Sequence, residues 1–137
     1  MAETVRRLPY FYIMGPDKPG EGARALQVLK DAGVNLLAFS GFPAGKRSQL
    51  DFVPEDPAAF RAAAKRAKWQ IKGPKTAFLI GGDDRTGVCA EILGRLAAAK
   101  INVTAPDAVV AGAGRFGAIL WVKPRDVNKA AKVLGAA

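Results

Sequence analysis

Apolar and polar residues follow each other along this chain in a pattern that occurs twice, at an offset of 67 residues. Each copy opens with an apolar run, residues 10–14 and 77–80, whose aromatic and β-branched content is typical of a buried strand. The matching apolar positions are Phe11 and Phe78, Ile13 and Ile80, Leu26 and Leu93, and Leu29 and Leu96. So many matches at one fixed offset indicate an internal repeat.

Each opening strand is followed by a turn and an amphipathic helix, because apolar residues recur at 25, 26, 29 and 32 and again at 92, 93, 96 and 99. Second strands are predicted at 34–39 and 101–104, and third strands at 49–53 and 117–122, with a Gly-containing turn between them. Asp56 and Pro57 suit the N-cap and first position of a second helix to residue 67, and residues 124–134 form its counterpart.

A short candidate strand at 69–71 closes the first copy, whereas the second copy ends without one. The order is βαββαβ in the first unit, residues 1–73, and βαββα in the second, residues 74–137. It predicts an α+β fold of two tandem ferredoxin-like plaits, each an antiparallel sheet with its helices on one face. Because the second unit lacks its last strand, residues 77–80 need a cover for one edge. We expect the other repeat or a second copy of the chain to supply it.

Composition narrows the chemistry that the chain can perform. The 137 residues suffice for one ordinary domain or two very small ones. The absence of histidine and the presence of a single cysteine, Cys89, exclude Ser-His-Asp and Cys-His relays and His/Cys zinc sites. No leader and no apolar run near the ~20 residues of a membrane helix are found, so we expect a cytoplasmic protein.

Polar residues also recur at the repeat offset, in the turns between the first strands and the first helices. Asp17 and Gly20 in the first unit match Asp84 and Gly87 in the second. A helix N-terminus attracts anions, and glycine lets a ligand approach the backbone closely. The aspartates could accept a hydrogen bond from an ammonium group, or could simply cap the helices.

Asn35 and Asn102 match each other at the start of the second strands, where an amide offers both a donor and an acceptor. An anion receptor, a cation acceptor and an amide are together what an α-amino acid zwitterion requires. Each of these residue types also has a purely structural use, as a helix cap or as a turn former.

The Asp-Lys-Pro-Gly turn at 17–20, the helix at 22–32 and the Gly-Val-Asn-Leu segment at 33–36 resemble an ACT domain. Residues 84–87 and 100–103 resemble the same parts of a second one, so that the similarity covers residues 8–72 and 75–134. The resemblance implies a non-catalytic regulatory module. From the uncovered strand edge we expect a homodimer, and we expect no metal or cofactor. Such a module binds a small molecule, typically an amino acid, at interfaces between paired ACT units. The implied ligand-binding residues are Asp17, Gly20, Asn35, Asp84, Gly87 and Asn102.

Nucleic-acid binding is the alternative, since RNA-recognition modules share the βαββαβ order and the chain has a net charge of +9. Tyr10, Phe11 and Tyr12 would supply aromatic rings on the sheet. The third strands lack the basic-Gly-aromatic pattern of such modules, and Asp51 would repel a phosphate backbone.

Three further groups have weaker functional interpretations. Arg85 with Asn102 could imitate the phosphate-binding pair of an acylphosphatase-like enzyme. Asp83 and Asp84 could hold Mg²⁺, although no third carboxylate lies nearby in sequence. A basic helix face is either solvated or in contact with an acidic partner; its members are Arg61, Lys65, Arg66 and Lys68.

Overall fold

A computed structural model describes residues 3–137 of the chain. The strands are β1 (Thr4–Pro16), β2 (Leu36–Ala44), β3 (Arg47–Pro54), β4 (Lys72–Asp83), β5 (Val103–Gly112) and β6 (Arg115–Val122). The helices are α1 (Glu21–Asp31), α2 (Pro57–Arg66), α3 (Val88–Ala98) and α4 (Val127–Leu134), the last preceded by a 3₁₀ turn at Pro124–Asp126. The α+β fold and the strand-helix-strand-strand-helix order of both repeats are therefore confirmed.

The chain divides into two compact units, which we call the first-repeat unit, residues 9–75, and the second-repeat unit, residues 3–8 with 76–137. Residues 3–8 group with the second repeat and not with the first. The strands β1 and β4 each begin in one unit and end in the other.

The first-repeat unit has the strand order β2-β3-β1-β4, in which β3 runs antiparallel to both β1 and β2. Aromatic side chains fill the core beneath its helices: the ring centroids of Phe11 and Phe60 lie 5.1 Å apart, and those of Phe52 and Phe60 5.4 Å apart. The predicted short strand at 69–71 is wrong. Trp69 instead stacks on Phe52 at 5.7 Å, and the next strand begins at Lys72.

The second-repeat unit has the strand order β1-β4-β6-β5, so residues 4–8 of β1 cover the edge of β4. Val5 is buried in the core of this unit. Its carbonyl accepts a hydrogen bond from the Ala137 amide at 3.1 Å, and the Thr4 hydroxyl donates to the Gly81 carbonyl at 3.4 Å. The strand that the second repeat lacks is thus supplied by the N-terminal segment of the chain itself.

The core of the second-repeat unit is mainly aliphatic, with Ile80, Leu96 and Leu120 all at most 2% exposed. Helix α4 contributes Ala130 and Leu134 to the same cluster. Across residues 3–137, no helix has the length and apolar content that crossing a bilayer requires.

Candidate ligand-binding site

Both first helices begin at a glycine in the left-handed conformation, Gly20 with φ +91° before α1 and Gly87 with φ +80° before α3. A Cβ added at either position would meet no atom within 4 Å. The backbone conformation, and not a lack of space, therefore requires glycine there. As a result, each helix start is open to approach from outside.

The N-terminal amides of these helices lack a side-chain acceptor, in contrast to those of α2. In α2, Asp56 Oδ1 accepts hydrogen bonds from the amides of Ala58 and Ala59 at 3.0 and 3.2 Å. Neither α1 nor α3 has a side-chain cap of this kind. The predicted capping role of Asp17 and Asp84 is wrong, because glycine occupies the N-cap three residues after each aspartate. The amides of Glu21 and Val88 donate to the carbonyls of Lys18 and Arg85 at 3.5 and 3.3 Å, so it is the other first-turn N–H groups of α1 and α3 that can bind an anion.

The carboxylates of Asp17 and Asp84 are exposed, and within the described part of the chain neither has a hydrogen bond or an ion pair. The Asp84 backbone is fixed, since its amide donates to the Gly114 carbonyl at 2.8 Å. A groove of about 280 Å³ opens beside this turn. Its walls include Asp84, Gly87, Val109, Val110 and Phe116. The groove is close to the lower limit of roughly 300 Å³ for small-molecule sites.

Asn35 lies at the opposite end of the sheet from the Asp17 turn. Strand β3 pairs through Arg47 with Pro16, next to that turn, and through Pro54 with Leu36, next to Asn35. Seven residues of extended strand separate these two pairings, which corresponds to about 24 Å. The Asn35 amide donates to Glu55 Oε2 at 3.3 Å. The structure therefore brings Asp17 and Gly20 together but keeps Asn35 apart from them.

The second repeat has the same arrangement. Strand β6 pairs through Arg115 with Asp83, beside the turn, and through Val122 with Val103, beside Asn102. Asn102 is exposed and is again about seven strand residues, or roughly 24 Å, away from the turn. A single repeat consequently offers the anion receptor and the carboxylate, but not the amide, at one place.

The same distance separates Arg85 from Asn102, so the acylphosphatase-like pair is not assembled. The Arg85 guanidinium instead forms an ion pair with Glu91. Asp83 accepts a hydrogen bond from Arg115 Nη1 at 2.9 Å. No group of three or more metal-ligating side chains occurs in residues 3–137.

The aromatic residues of β1 do not form an exposed stacking platform. Phe11 is 1% exposed, and Tyr12 lies 5.3 Å from the Lys75 ammonium, measured to the ring centroid. Asp51, opposite Tyr12 in the sheet, is buried and accepts a hydrogen bond from Gln49 Nε2 at 2.8 Å. A buried carboxylate beside the tyrosines disfavours phosphate binding there.

Burial raises the pKa of the Asp51 carboxyl above its usual range. Desolvation, and then the nearby Asp51 charge, raise the pKa of the Tyr10 hydroxyl to about 12. Sequence reasoning treated Asp51 only as a repelling charge, although its place among the apolar residues of β3 was a signal of burial.

No family model and no curated protein matches the sequence. Among solved structures, a Bacteroides thetaiotaomicron protein matches with a TM-score of 0.79 at 20% identity, over 97% of this chain and 88% of that one. The ligand-free regulatory subunit of aspartate kinase from Thermus thermophilus matches with a TM-score of 0.66 at 15% identity, over 98% and 96%. The regulatory subunit of aspartate kinase from Thermus flavus matches with a TM-score of 0.60 at 17% identity, over 98% of this chain and 94% of that one. At these identities the matches establish the fold, and the chain has the tandem ACT-type fold that its two repeats resemble.

Proposed function

We propose that this protein is a non-catalytic regulatory module that binds an amino acid at the turns before α1 and α3, as a homodimer. One observation carries the proposal: both turns combine a left-handed glycine and an uncapped helix start with an unpartnered, exposed aspartate. The ligand carboxylate would bind the helix N–H groups, and the aspartate would accept from the ligand ammonium.

The asparagines enter this site only from a second copy of the chain. Strand β2 is an edge strand, and its end at Ala44 pairs with Arg47, which pairs on its other side with Pro16, the residue before the Asp17 turn. If two β2 strands pair antiparallel, the beginning of one strand lies beside the end of the other. Asn35 of one copy then lies at the same end of the joined sheet as the Asp17 turn of its partner, and the two would form a composite site around a ligand.

The β5 edge supports the same arrangement for the second repeat. Val109 is 65% exposed and Val110 53% exposed, and both line the groove beside Asp84 and Gly87. Adjacent exposed apolar residues on an unpaired edge strand favour burial against another chain. Antiparallel pairing of two β5 strands would bring Asn102 of the partner to this groove.

The likeness to aspartate kinase regulatory subunits favours a regulatory role over a catalytic one. Those proteins are named as regulatory subunits, and they match this chain over nearly its whole length. In such a role, ligand binding would stabilise one state of the dimer relative to another and so alter the activity of a partner enzyme.

The test is thermal unfolding of the purified protein in the presence of each of the twenty amino acids, with a single-stranded RNA for comparison. A ligand at 100 times its Kd stabilises the folded state by about 2.7 kcal/mol, which raises Tm by several degrees. The response should disappear in the Asn35→Ala/Asn102→Ala variant. It should persist in Gln70→Ala, which removes an exposed amide elsewhere. A shift with RNA alone, or with no compound, contradicts the proposal.

A further inference from the structure

The positive charge of this protein is concentrated in one segment of each repeat, which contains the second helix and the residues next to it. Residues 57–72, which include α2, carry five cations and no anion, and residues 123–137, which include α4, carry four cations and one anion. By contrast, residues 17–31 around α1 and residues 83–100 around α3 each carry three cations and three anions. These two segments therefore carry net charges of +5 and +3, nearly all of the net charge of +9, and α2 and α4 themselves carry +3 and +2.

Ion pairs show the same difference between the helices. On α1, Arg24 Nη1 lies 3.0 Å from Glu21 Oε1, and Lys18 Nζ lies 3.7 Å from the same oxygen. On α3, Arg85 forms an ion pair with Glu91. Within residues 3–137, no cation of α2 has an acidic partner. These cations are all exposed; they are Arg61, Lys65 and Arg66.

On the exposed face of α2, small side chains lie between longer cationic ones, and we call this face the trough. Successive residues are 100° apart around a helix, so Ala58 and Ala62 occupy the middle of this face. Arg61 and Lys65 lie on one side of the two alanines, and Arg66 on the other. The opposite face is buried, through Phe60, Ala63 and Ala64. Small side chains flanked by cations allow another helix to approach closely while its acidic groups meet the cations.

We propose that this trough binds an acidic helix of a partner protein. A contact with Phe11 holds the Arg61 side chain in place, since its guanidinium carbon lies 4.9 Å from the centroid of the Phe11 ring. This contact reduces the side-chain entropy lost on binding. The described part of α2 exposes no aromatic residue on which a base of single-stranded RNA would stack, which favours a protein over a nucleic acid as the occupant.

The experiment measures binding of a labelled alanine-rich helical peptide to the full chain at low ionic strength. The peptide carries glutamates along both sides of one face, and a peptide of the same composition in scrambled order is the comparison. The patterned peptide should bind on the order of tenfold more tightly than the scrambled one, because only its glutamates match the trough. Equal affinities would overturn the proposal.

Two charge-reversal variants locate the binding surface. Arg61→Glu/Lys65→Glu/Arg66→Glu should weaken binding of the patterned peptide on the order of tenfold or more, while circular dichroism and the amino-acid response stay unchanged. The control variant Lys30→Glu/Lys46→Glu/Arg47→Glu reverses three exposed cations outside α2 and changes the net charge by the same amount. It should weaken binding of the patterned peptide less than about threefold. Equal losses in both variants would overturn the proposal.

Two other polyanions distinguish the kind of partner. Single-stranded RNA and anionic phosphatidylserine vesicles are titrated against the same two variants. If either of them binds more tightly than the patterned peptide and loses affinity only in the α2 variant, the trough recognises that polyanion and the proposal for an acidic helix is overturned. Because the proposed amino-acid site lies at other residues, its failure would leave these peptide results unchanged.

Discussion

Helices α1 and α3 begin at Gly20 and Gly87 in the left-handed conformation, whereas α2 begins at Asp56, whose side chain caps it. The chain can therefore supply a capping side chain, but at the start of both first helices it does not. With glycine at the N-cap, such a start costs roughly a few tenths of a kcal/mol of helix stability relative to a good side-chain cap. The difference separates a helix start that a side chain caps from two whose first turn has no side-chain acceptor.

A second comparison, between the two repeats, strengthens this conclusion. The core of the first-repeat unit is built from stacked aromatic rings such as Phe11 and Phe60, and that of the second-repeat unit mainly from aliphatic side chains such as Ile80 and Leu96. The second-repeat unit also takes a strand from the N-terminus. Despite these differences in packing, the turn before the first helix has the same conformation in both units. The packing of the core therefore does not determine the turn.

The largest expected effects come from removing one core side chain in each unit. Phe60→Ala should lower the free energy of unfolding by about 3–5 kcal/mol, and Leu96→Ala by about 2–5 kcal/mol, because both side chains are fully buried. Urea unfolding measures the totals, and hydrogen exchange shows which unit loses protection first. Phe42→Ala, at a side chain that is 42% exposed, should cost much less. Equal costs at residues 42 and 60 would contradict the assigned core.

The N-terminal strand is tested by Val5→Ala. Val5 is 6% exposed in the core of the second-repeat unit, so we expect a loss of about 1–3 kcal/mol. Hydrogen exchange of the amides at residues 77–80 should become faster, while that of β3 in the other unit should change less. Arg6→Ala, on the exposed side of the same strand, is the matched control. Unchanged exchange at 77–80 in Val5→Ala would show that residues 4–8 do not stabilise this edge.

Gly20→Ala and Gly87→Ala test the turns directly. Each forces a side chain into the left-handed region, which should cost about 1–2 kcal/mol. Gly22→Ala is the control, because Gly22 lies inside α1 with ordinary dihedral angles and free space around it. That variant should gain about 0.5–1 kcal/mol. Thermal unfolding compares the three variants. A loss for Gly22→Ala as large as that for Gly20→Ala would contradict the distinction.

The smallest effect concerns Asp51, which pairs with Tyr12 in the first repeat. At the corresponding place in the second repeat, the apolar residue Ile119 pairs with Leu79. Because burial raises the pKa of Asp51, the folded state binds the proton more tightly than the unfolded chain does. Stability therefore falls as pH rises from the ordinary carboxyl pKa through the raised one, and is then constant.

Asp51→Asn should remove this dependence. The variant should be more stable than the native protein at pH 7, and the advantage should shrink as the pH is lowered toward 4. Urea unfolding at several pH values measures this difference. Asp107→Asn, at an exposed carboxylate, should change stability by less than about 0.5 kcal/mol. An Asp51→Asn variant whose stability relative to the native protein is the same at pH 4 and pH 7 would contradict the raised pKa.

The sequence was sufficient to predict features that depend on neighbouring residues. The repeat, the helical faces and the hairpins all follow from local periodicity, and all occur in the structure. The sequence predicted that the other repeat or a second copy covers the β4 edge, but not that residues 4–8 do so, because Val5 is their one buried apolar side chain and stands beside Arg6 and Arg7. Pairing of that segment with residues distant in sequence leaves no local signal.

The candidate site could be predicted only in part, for the same reason. The pairing of aspartate and glycine is visible in the sequence because both lie in one turn. The separation of Asn35 from that turn depends on the register of β3 with β1 and β2, which only the structure gives. The uncapped helix start was also missed, because aspartate near a helix start ordinarily indicates a cap.

The central claim is that each ligand site combines the turn of one copy with the asparagine of another. The most direct measurement mixes two variants, Asp17→Ala/Asp84→Ala and Asn35→Ala/Asn102→Ala, and titrates the mixture with the amino acid that stabilises the native protein. Each variant alone should not bind. After exchange of subunits, about half of the dimers contain one copy of each variant. In such a dimer, half of the sites combine a native turn with a native asparagine. About one quarter of the native binding capacity should therefore return. Absence of binding in the mixture, with exchange verified by mass spectrometry, would contradict the composite site.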